Sequence, residues 1–357
     1  MNRHSPLYAN LLEPEAILRL FTAFPPLSFD CRISPSGLPV FRADFDLLTT
    51  LDRKARKYLA RLPLFSRWSG VFRFPACFCG TTLTEYAPLP AILSPRVILD
   101  EFMDEYAAGA SLLILKDLPL DSPLLPLQDQ NLSRALADEA KRRGFLEVQG
   151  QALAYVPLDF SSVDEYLARL SPRRRKDLRR KWKKRDDISV SLLPFGDPLF
   201  SDPAFLEQAY AMYLNVYRQS EIHFDLLSRD FFTALLQNDA MDGVVFLYRH
   251  KEILAGYNIC LVRNDMLIDK YIGFTYPLAR ERNLYFISWM MNLEYALEKN
   301  LSHYIAGWTD PEVKAALGAR FTFTRHLVRM KNPLLRRMLS PLRPLFEADG
   351  RAVGTLS

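Results

Sequence analysis

The chain has 357 residues, of which 49% are apolar and 12% aromatic; that is a globular composition, long enough for two cores, and it excludes a disordered chain. Its net charge of +5 is concentrated, because residues 171–185 (SPRRRKDLRRKWKKR) hold ten Lys or Arg and one Asp, a local +9 that leaves the remainder net acidic. This excludes a protein that coats DNA through a general basic surface and points to one local anionic contact.

No apolar run reaches the roughly 18–20 residues that cross a bilayer. The opening MNRHSPLYANLLEPEAILRL lacks a signal-type apolar core and carries Glu13 and Glu15, so a cytoplasmic protein without a transmembrane segment is expected. Cys31, Cys77, Cys79 and Cys260 form no C-x-x-C pair and read as free thiols in a reduced compartment. Metal-ligand spacing and a G-x-S-x-G elbow are both missing from the sequence, so neither a bound metal nor a serine nucleophile is expected.

In chain order, Arg53, Lys54, Arg56, Lys57 and Arg61 mark a small basic helix, most plainly a solvated face. Trp68–Gly80 reads as strand and loop. Arg96–Ala107 reads as a helix, Ser111–Leu115 as a buried strand, and Leu132–Arg143 as a helix ended by Gly144. Two strands are predicted next, Phe145–Gln149 and Ala152–Leu158. The segment ALADEAKRRGFLEVQG is echoed later by NLEYALEKNLSHYIAG, which predicts two related α/β units in tandem, the first without an obvious site.

Ser162 and Glu165 form a capping box. Ser171-Pro172 restarts a helix on which Leu178 and Trp182, four apart, share a face. Nearly every other side chain there is cationic. Like charges so close repel, so this helix predicts a phosphate-bearing ligand or an acidic surface, with a solvated face and RNA binding as the other readings.

Ile188–Leu193 reads as a strand. Asp202-Pro203 opens a helix to about Tyr217, His223-Phe224-Asp225 lies in the loop beyond, and Ser228 caps Arg229–Gln237. Three strands then follow in quick succession, Val244–Arg249, Ile253–Val262 and Met266–Phe274. Their links are too short for a crossover, so an antiparallel meander is predicted. The spacing of Asn283–Lys299 is helical. A strand at Ser302–Ala306, a helix at Pro311–Leu317 and a last strand at Phe321–Met330 complete a mixed sheet.

From Ile188 onward this order resembles the GNAT acyltransferase fold. The segments L-S-P-R-R-R-K-D-L-R-R-K (Leu170–Lys181), E-I-L-A-G-Y-N-I-C-L (Glu252–Leu261) and G-W-T-D-P-E-V-K-A-A-L-G-A-R-F-T-F-T-R-H (Gly307–His326) are similar to GNAT-like proteins related to the Fem-type peptidoglycan aminoacyltransferases. The resemblance covers about 161–330. It implies an α/β fold, a GNAT-like mixed sheet flanked by helices and two such units in tandem: a degenerate domain over 1–160, an acyltransferase domain over 161–335 and a tail over 336–357.

The implied reaction moves an acyl or aminoacyl group to an amine on a small molecule or peptide, without a covalent enzyme intermediate. The donor is an acyl-CoA or an aminoacyl-tRNA, and no cofactor is held permanently. One departure bears on the donor. The glycine-rich turn that holds the CoA pyrophosphate would be TYPLARERN (275–283), which has no glycine. Arg280 and Arg282 are the charges left there, and Arg175 and Arg179 on the basic helix suit either donor.

For the chemistry, Asp269 is the leading base, on a strand where simple alternation puts it on the same face as Tyr271, a candidate proton donor or core residue. Lys314, before Gly318, is in a position that resembles that of the Fem-type lysine, which implies a role in neutralising a phosphate or an oxyanion; a surface lysine is the other reading. His326 on the last strand is a further catalytic candidate. His223, Asp225 and Trp308 are assigned to the acceptor. The reading from another class is a non-catalytic scaffold whose basic helix holds RNA or an anionic surface. The basic, apolar stretch Lys331–Arg343 adds a candidate peripheral membrane contact.

Overall fold

The computed structural model describes residues 7–46, 48, 72–220 and 224–332. The small basic helix and His223 lie outside these residues, as does the chain beyond 332. The chain forms two compact units: one comprises the chain to Leu11, Ile17–Leu153 and the chain from Thr322, the other Leu12–Ala16 with Ala154–Phe321.

In the first unit, helix α1 (Ala16–Ala23) precedes strands β1 (Asp30–Ile33), β2 (Pro39–Asp46) and β3 (Arg73–Cys79). These three pair antiparallel in sequence order. Helix α2 (Pro95–Glu101) has Ser94 as N-cap and Pro95 in its first turn, the chemistry expected of a helix start. It leads to β4 (Leu112–Leu118), which runs parallel to β3. Helix α3 (Leu127–Arg142) follows, and Gly144 supplies the left-handed residue after it at φ +82°. The two strands predicted after that helix are one, β5 (Leu146–Pro157), because nothing between Gln149 and Ala152 forces a turn.

In the second unit, α4 (Val163–Ala168) and α5 (Pro172–Trp182) precede β6 (Ser189–Pro194). Helices α6 (Pro203–Tyr217) and α7 (Arg229–Leu236) lead to β7 (Gly243–His250), β8 (Ile253–Arg263) and β9 (Met266–Phe274). These three strands form the expected antiparallel meander, with β6 added antiparallel to β7. A short turn of helix, α8 (Leu278–Glu281), and then α9 (Leu284–Glu298) cross over to β10 (His303–Gly307), parallel to β9. Residues Ala154–Pro157 of β5 pair antiparallel with β10. Ile287, Trp289, Met290 and Leu293 of α9 bury themselves against Phe246 and Tyr248 of β7, Cys260 of β8 and Leu267 of β9; each such side chain contributes on the order of 1.5–3 kcal/mol. Leu178 of α5 is buried in the same core and Trp182 packs on it, as their spacing predicts.

Helix α10 (Pro311–Leu317) ends at Gly318, φ +95°, and leads to β11 (Arg320–Met330). The expectation that this last strand completes the C-terminal sheet is corrected: Arg325–Met330 pair antiparallel with β4 of the first unit. The repeat is real in topology. Each half of the chain contributes a three-strand meander, a helical crossover to a parallel strand, a further helix and a last strand. The echo read from sequence is one step out of phase, since it matches α3–β5 with α9–β10, whereas by order α2–β4 answers to α9–β10. Both are helix-to-strand transitions, and low-identity patterns do not distinguish them.

Candidate active site

The site forms where β9 and β10 part. Their parallel ladder holds only from Met266 and His303 to Ile268 and Ile305, while β9 continues to Phe274 beside β8. Beyond the ladder β10 ends at Gly307, whose φ of +77° suits glycine. A methyl group there would stand 3.7 Å from the Asp269 carbonyl oxygen and 3.9 Å from Lys314 Nζ. Lys314 is 4% exposed, and its ammonium donates to the Ala306 carbonyl at 2.6 Å. A buried cation is thus delivered by α10 to the parting of the two strands. An ammonium in such a place is stabilised by carbonyl dipoles and by any developing negative charge.

Asp269 lies beside this point, and its side chain belongs to the α9 face. Oδ2 accepts from the Tyr304 hydroxyl at 2.8 Å, from Asn292 Nδ2 at 3.2 Å and from Asn258 Nδ2 at 3.4 Å. The Tyr304 phenol is held well above its ordinary pKa, first by burial and then by the Asp269 charge, so it stays a donor. Tyr304, Asn292 and Asn258 were not picked out in the sequence. The available signal was two asparagines inside otherwise apolar runs, LAGYNICL and WMMNL.

Tyr271 does not share that face, contrary to simple alternation. The β8–β9 ladder matches Cys260 with Asp269 and the adjacent Ile259 with Tyr271, so Lys270 is an extra, bulged residue. A bulge of one residue reverses the facing of everything after it. Tyr271 therefore meets Phe231 and Phe232 of α7 edge-on, at 5.7 and 5.4 Å between ring centres.

The expected donor residues divide. Arg282 is paired with Asp187 at 2.8 Å, and Arg280 donates to Gln219 while stacking 4.8 Å over the Tyr276 ring. Arg175 donates to the Ala168 carbonyl at 3.1 Å, and Arg179 lies 3.6 Å from the exposed Asp164, a surface pair worth about 0–1 kcal/mol. Arg175, Lys176, Arg179, Arg180 and Lys183 line one surface pocket. Arg173, Arg174, Lys176 and Lys183 are exposed and form no ion pair among the described residues. Asp225 is half-buried in the loop before α7, near enough to Tyr213 and Tyr217 to add to the burial that raises both phenols. Trp308, also half-buried, directly follows Gly307.

His326 falls in the first unit and not with Asp269 and Lys314. Its Nδ1 accepts from the Asp117 N–H at 3.0 Å, and burial lowers its pKa, the setting of a histidine engaged with its own fold. Among the described residues no group of three or more His, Cys, Asp or Glu is arranged to hold a metal, and no helix is long and apolar enough to cross a membrane.

Residues 87–342 match the FemAB-like family, described by peptidoglycan biosynthesis/recognition. No curated protein matches the sequence. Among solved structures, the chain is similar to L-PGS from Bacillus licheniformis, with a TM-score of 0.54, 10% identity and coverage of 95% of this chain and 98% of that one. It is similar to the C-terminal domain of a protein assigned as a lysylphosphatidylglycerol synthetase from Agrobacterium fabrum, at 0.54 and 11% identity over 90% of both chains. FemX matches at 0.52 and 11% identity over 94% and 96%. Identities this low speak for the fold.

Proposed function

The chain belongs to the FemAB-like family of peptidoglycan biosynthesis/recognition, and from that premise we propose that it is an N-acyltransferase that moves an acyl or aminoacyl group from a thioester or ester donor directly to an amine. The observation that carries this reading is the buried Lys314 ammonium at the parting of β9 and β10, beside the Asp269 backbone. The amine nitrogen forms the new C–N bond and the carbonyl electrons move to oxygen, where Lys314 stabilises the oxyanion. The amine proton passes to the Asp269 carboxylate, which Tyr304, Asn292 and Asn258 orient. Collapse breaks the donor C–S or C–O bond, and the thiol or hydroxyl leaves with a proton.

Two features favour an aminoacyl-tRNA over an acyl-CoA. The 275–283 segment is glycine-free, and both of its arginines are engaged with protein groups. The exposed cations of α5 suit a polyphosphate chain. One of the similar structures carries a name built on lysylphosphatidylglycerol, an aminoacyl ester, which agrees with an aminoacyl donor here.

The test offers the purified chain charged tRNA and, separately, acyl-CoAs of graded length, with amine-bearing peptides as acceptors. Amide formation is read by mass spectrometry. The expected result is transfer that Asp269→Asn lowers by about 10²-fold or more. Consumption of neither donor overturns the reading; tRNA binding without transfer would move it to a non-catalytic scaffold.

A further inference from the structure

The β9 bulge is tied to a residue far away in sequence. Glu13 is fully buried at 0% exposure, and its Oε1 lies 3.0 Å from Lys270 Nζ, on a side chain only 7% exposed. The Glu13 carbonyl accepts a hydrogen bond from the Arg263 guanidinium. The segment Leu12–Ala16 belongs to the second unit, although the chain on either side of it belongs to the first. Glu13 therefore ties down two cations of the β8–β9 hairpin, Arg263 near the turn through its backbone carbonyl and Lys270 at the bulge through its carboxylate.

Burying two opposite charges is an inefficient way to stabilise a fold. Desolvation costs several kcal/mol per ion, and apolar side chains of similar size often do as well. In some proteins what such a pair supplies is specificity of arrangement. Lys270 is the residue whose insertion sends Asp269 to the α9 face and Tyr271 to the α7 face. If the bulge moved along β9, the register would slip and one of the two would turn over.

We infer that Glu13 is a positioning residue: its buried carboxylate holds Lys270 in the β9 bulge and thereby aims the Asp269 carboxylate at Tyr304, Asn292 and Asn258. The functional half of this inference rests on the acyltransferase reading above; the geometric half does not.

The experiment compares the full chain with Glu13→Leu/Lys270→Met, which replaces the pair by apolar groups, and with Glu13→Gln, which keeps the shape of the acid. Urea unfolding reads stability. The side-chain amide resonances of Asn258 and Asn292 read the aim of Asp269, and the pH profile and kcat of transfer read the chemistry. The double variant is expected to remain about as stable as the wild type, to shift both amide resonances, and to lose about tenfold or more in kcat with little change in KM. Unmoved amide resonances in the folded double variant, or unmoved resonances in Glu13→Gln if the double variant does not fold, overturn the inference. Shifted resonances with an unchanged kcat overturn its functional half. If the wild type transfers nothing, the acyltransferase reading fails by itself, while the amide resonances still decide what Glu13 holds.

Discussion

Asp269 and Tyr271 stand two positions apart on one strand and face opposite sides of the sheet. Asp269 meets the Tyr304 hydroxyl at 2.8 Å, and Tyr271 meets the Phe232 ring at 5.4 Å. Lys270, the bulged residue between them, is the cause. One strand thus serves a polar network toward α9 and an aromatic cluster toward α7, and the two residues expected to act together cannot reach one reacting atom from the same side.

Lys314→Met is expected to lower transfer by about 10²–10³-fold, the usual effect of removing one oxyanion donor. It also strips the Ala306 carbonyl of its partner, at about 1–3 kcal/mol. Single-turnover rates on the folded variant, checked by urea unfolding, separate the two effects. A near-wild-type rate would rule Lys314 out.

Stability should decline as the pH falls below the ordinary histidine value of 6.5. Burial lowers the pKa of both His326 and His303. The unfolded chain therefore binds protons at a higher pH than the folded one. The associated stability is fully present above 6.5 and is lost as the pH falls from there toward the lowered folded values. Urea midpoints taken across this range should stay flat above about pH 7 and drop below it, and less steeply in His326→Asn.

Replacing Arg173, Arg174, Lys176 and Lys183 by alanine should leave the folding midpoint nearly unchanged, since all four are exposed and none forms an ion pair among the described residues. Binding of charged tRNA should weaken, and its dependence on log salt should flatten by about one unit for each phosphate that is no longer neutralised. An unaltered salt slope would remove α5 from the donor site.

A fragment spanning 161–335 should not fold. It lacks Ala154–Pro157, which pair with β10, and Glu13, which pairs with the buried Lys270. Removing one partner of a buried ion pair costs about 3–5 kcal/mol, a large share of a domain's stability. Near-UV circular dichroism of the fragment checks this; a native-like spectrum would show that neither contribution is needed.

Local chemistry was legible in the sequence. Capping pairs such as Ser162 with Glu165 and Asp202-Pro203 start helices in the structure, and the short polar links fixed the antiparallel meander from Gly243 to Phe274. Lys314 was picked out by resemblance, and its ammonium lies at the parting of β9 and β10. Tertiary structure alone decided the rest. Alternation cannot reveal a bulge, because Lys270 is an ordinary strand residue until Glu13 meets it across the fold. Strand order cannot show that β11 pairs with β4, nor can a single histidine show that its Nδ1 accepts from the Asp117 N–H. Hydrogen bonds within a turn or a helix cap join residues a few positions apart and leave their mark in the sequence. The partners that define this site lie on different strands and helices, from 8 residues apart for Lys314 and Ala306 to 257 for Glu13 and Lys270, and only the packed chain brings them together.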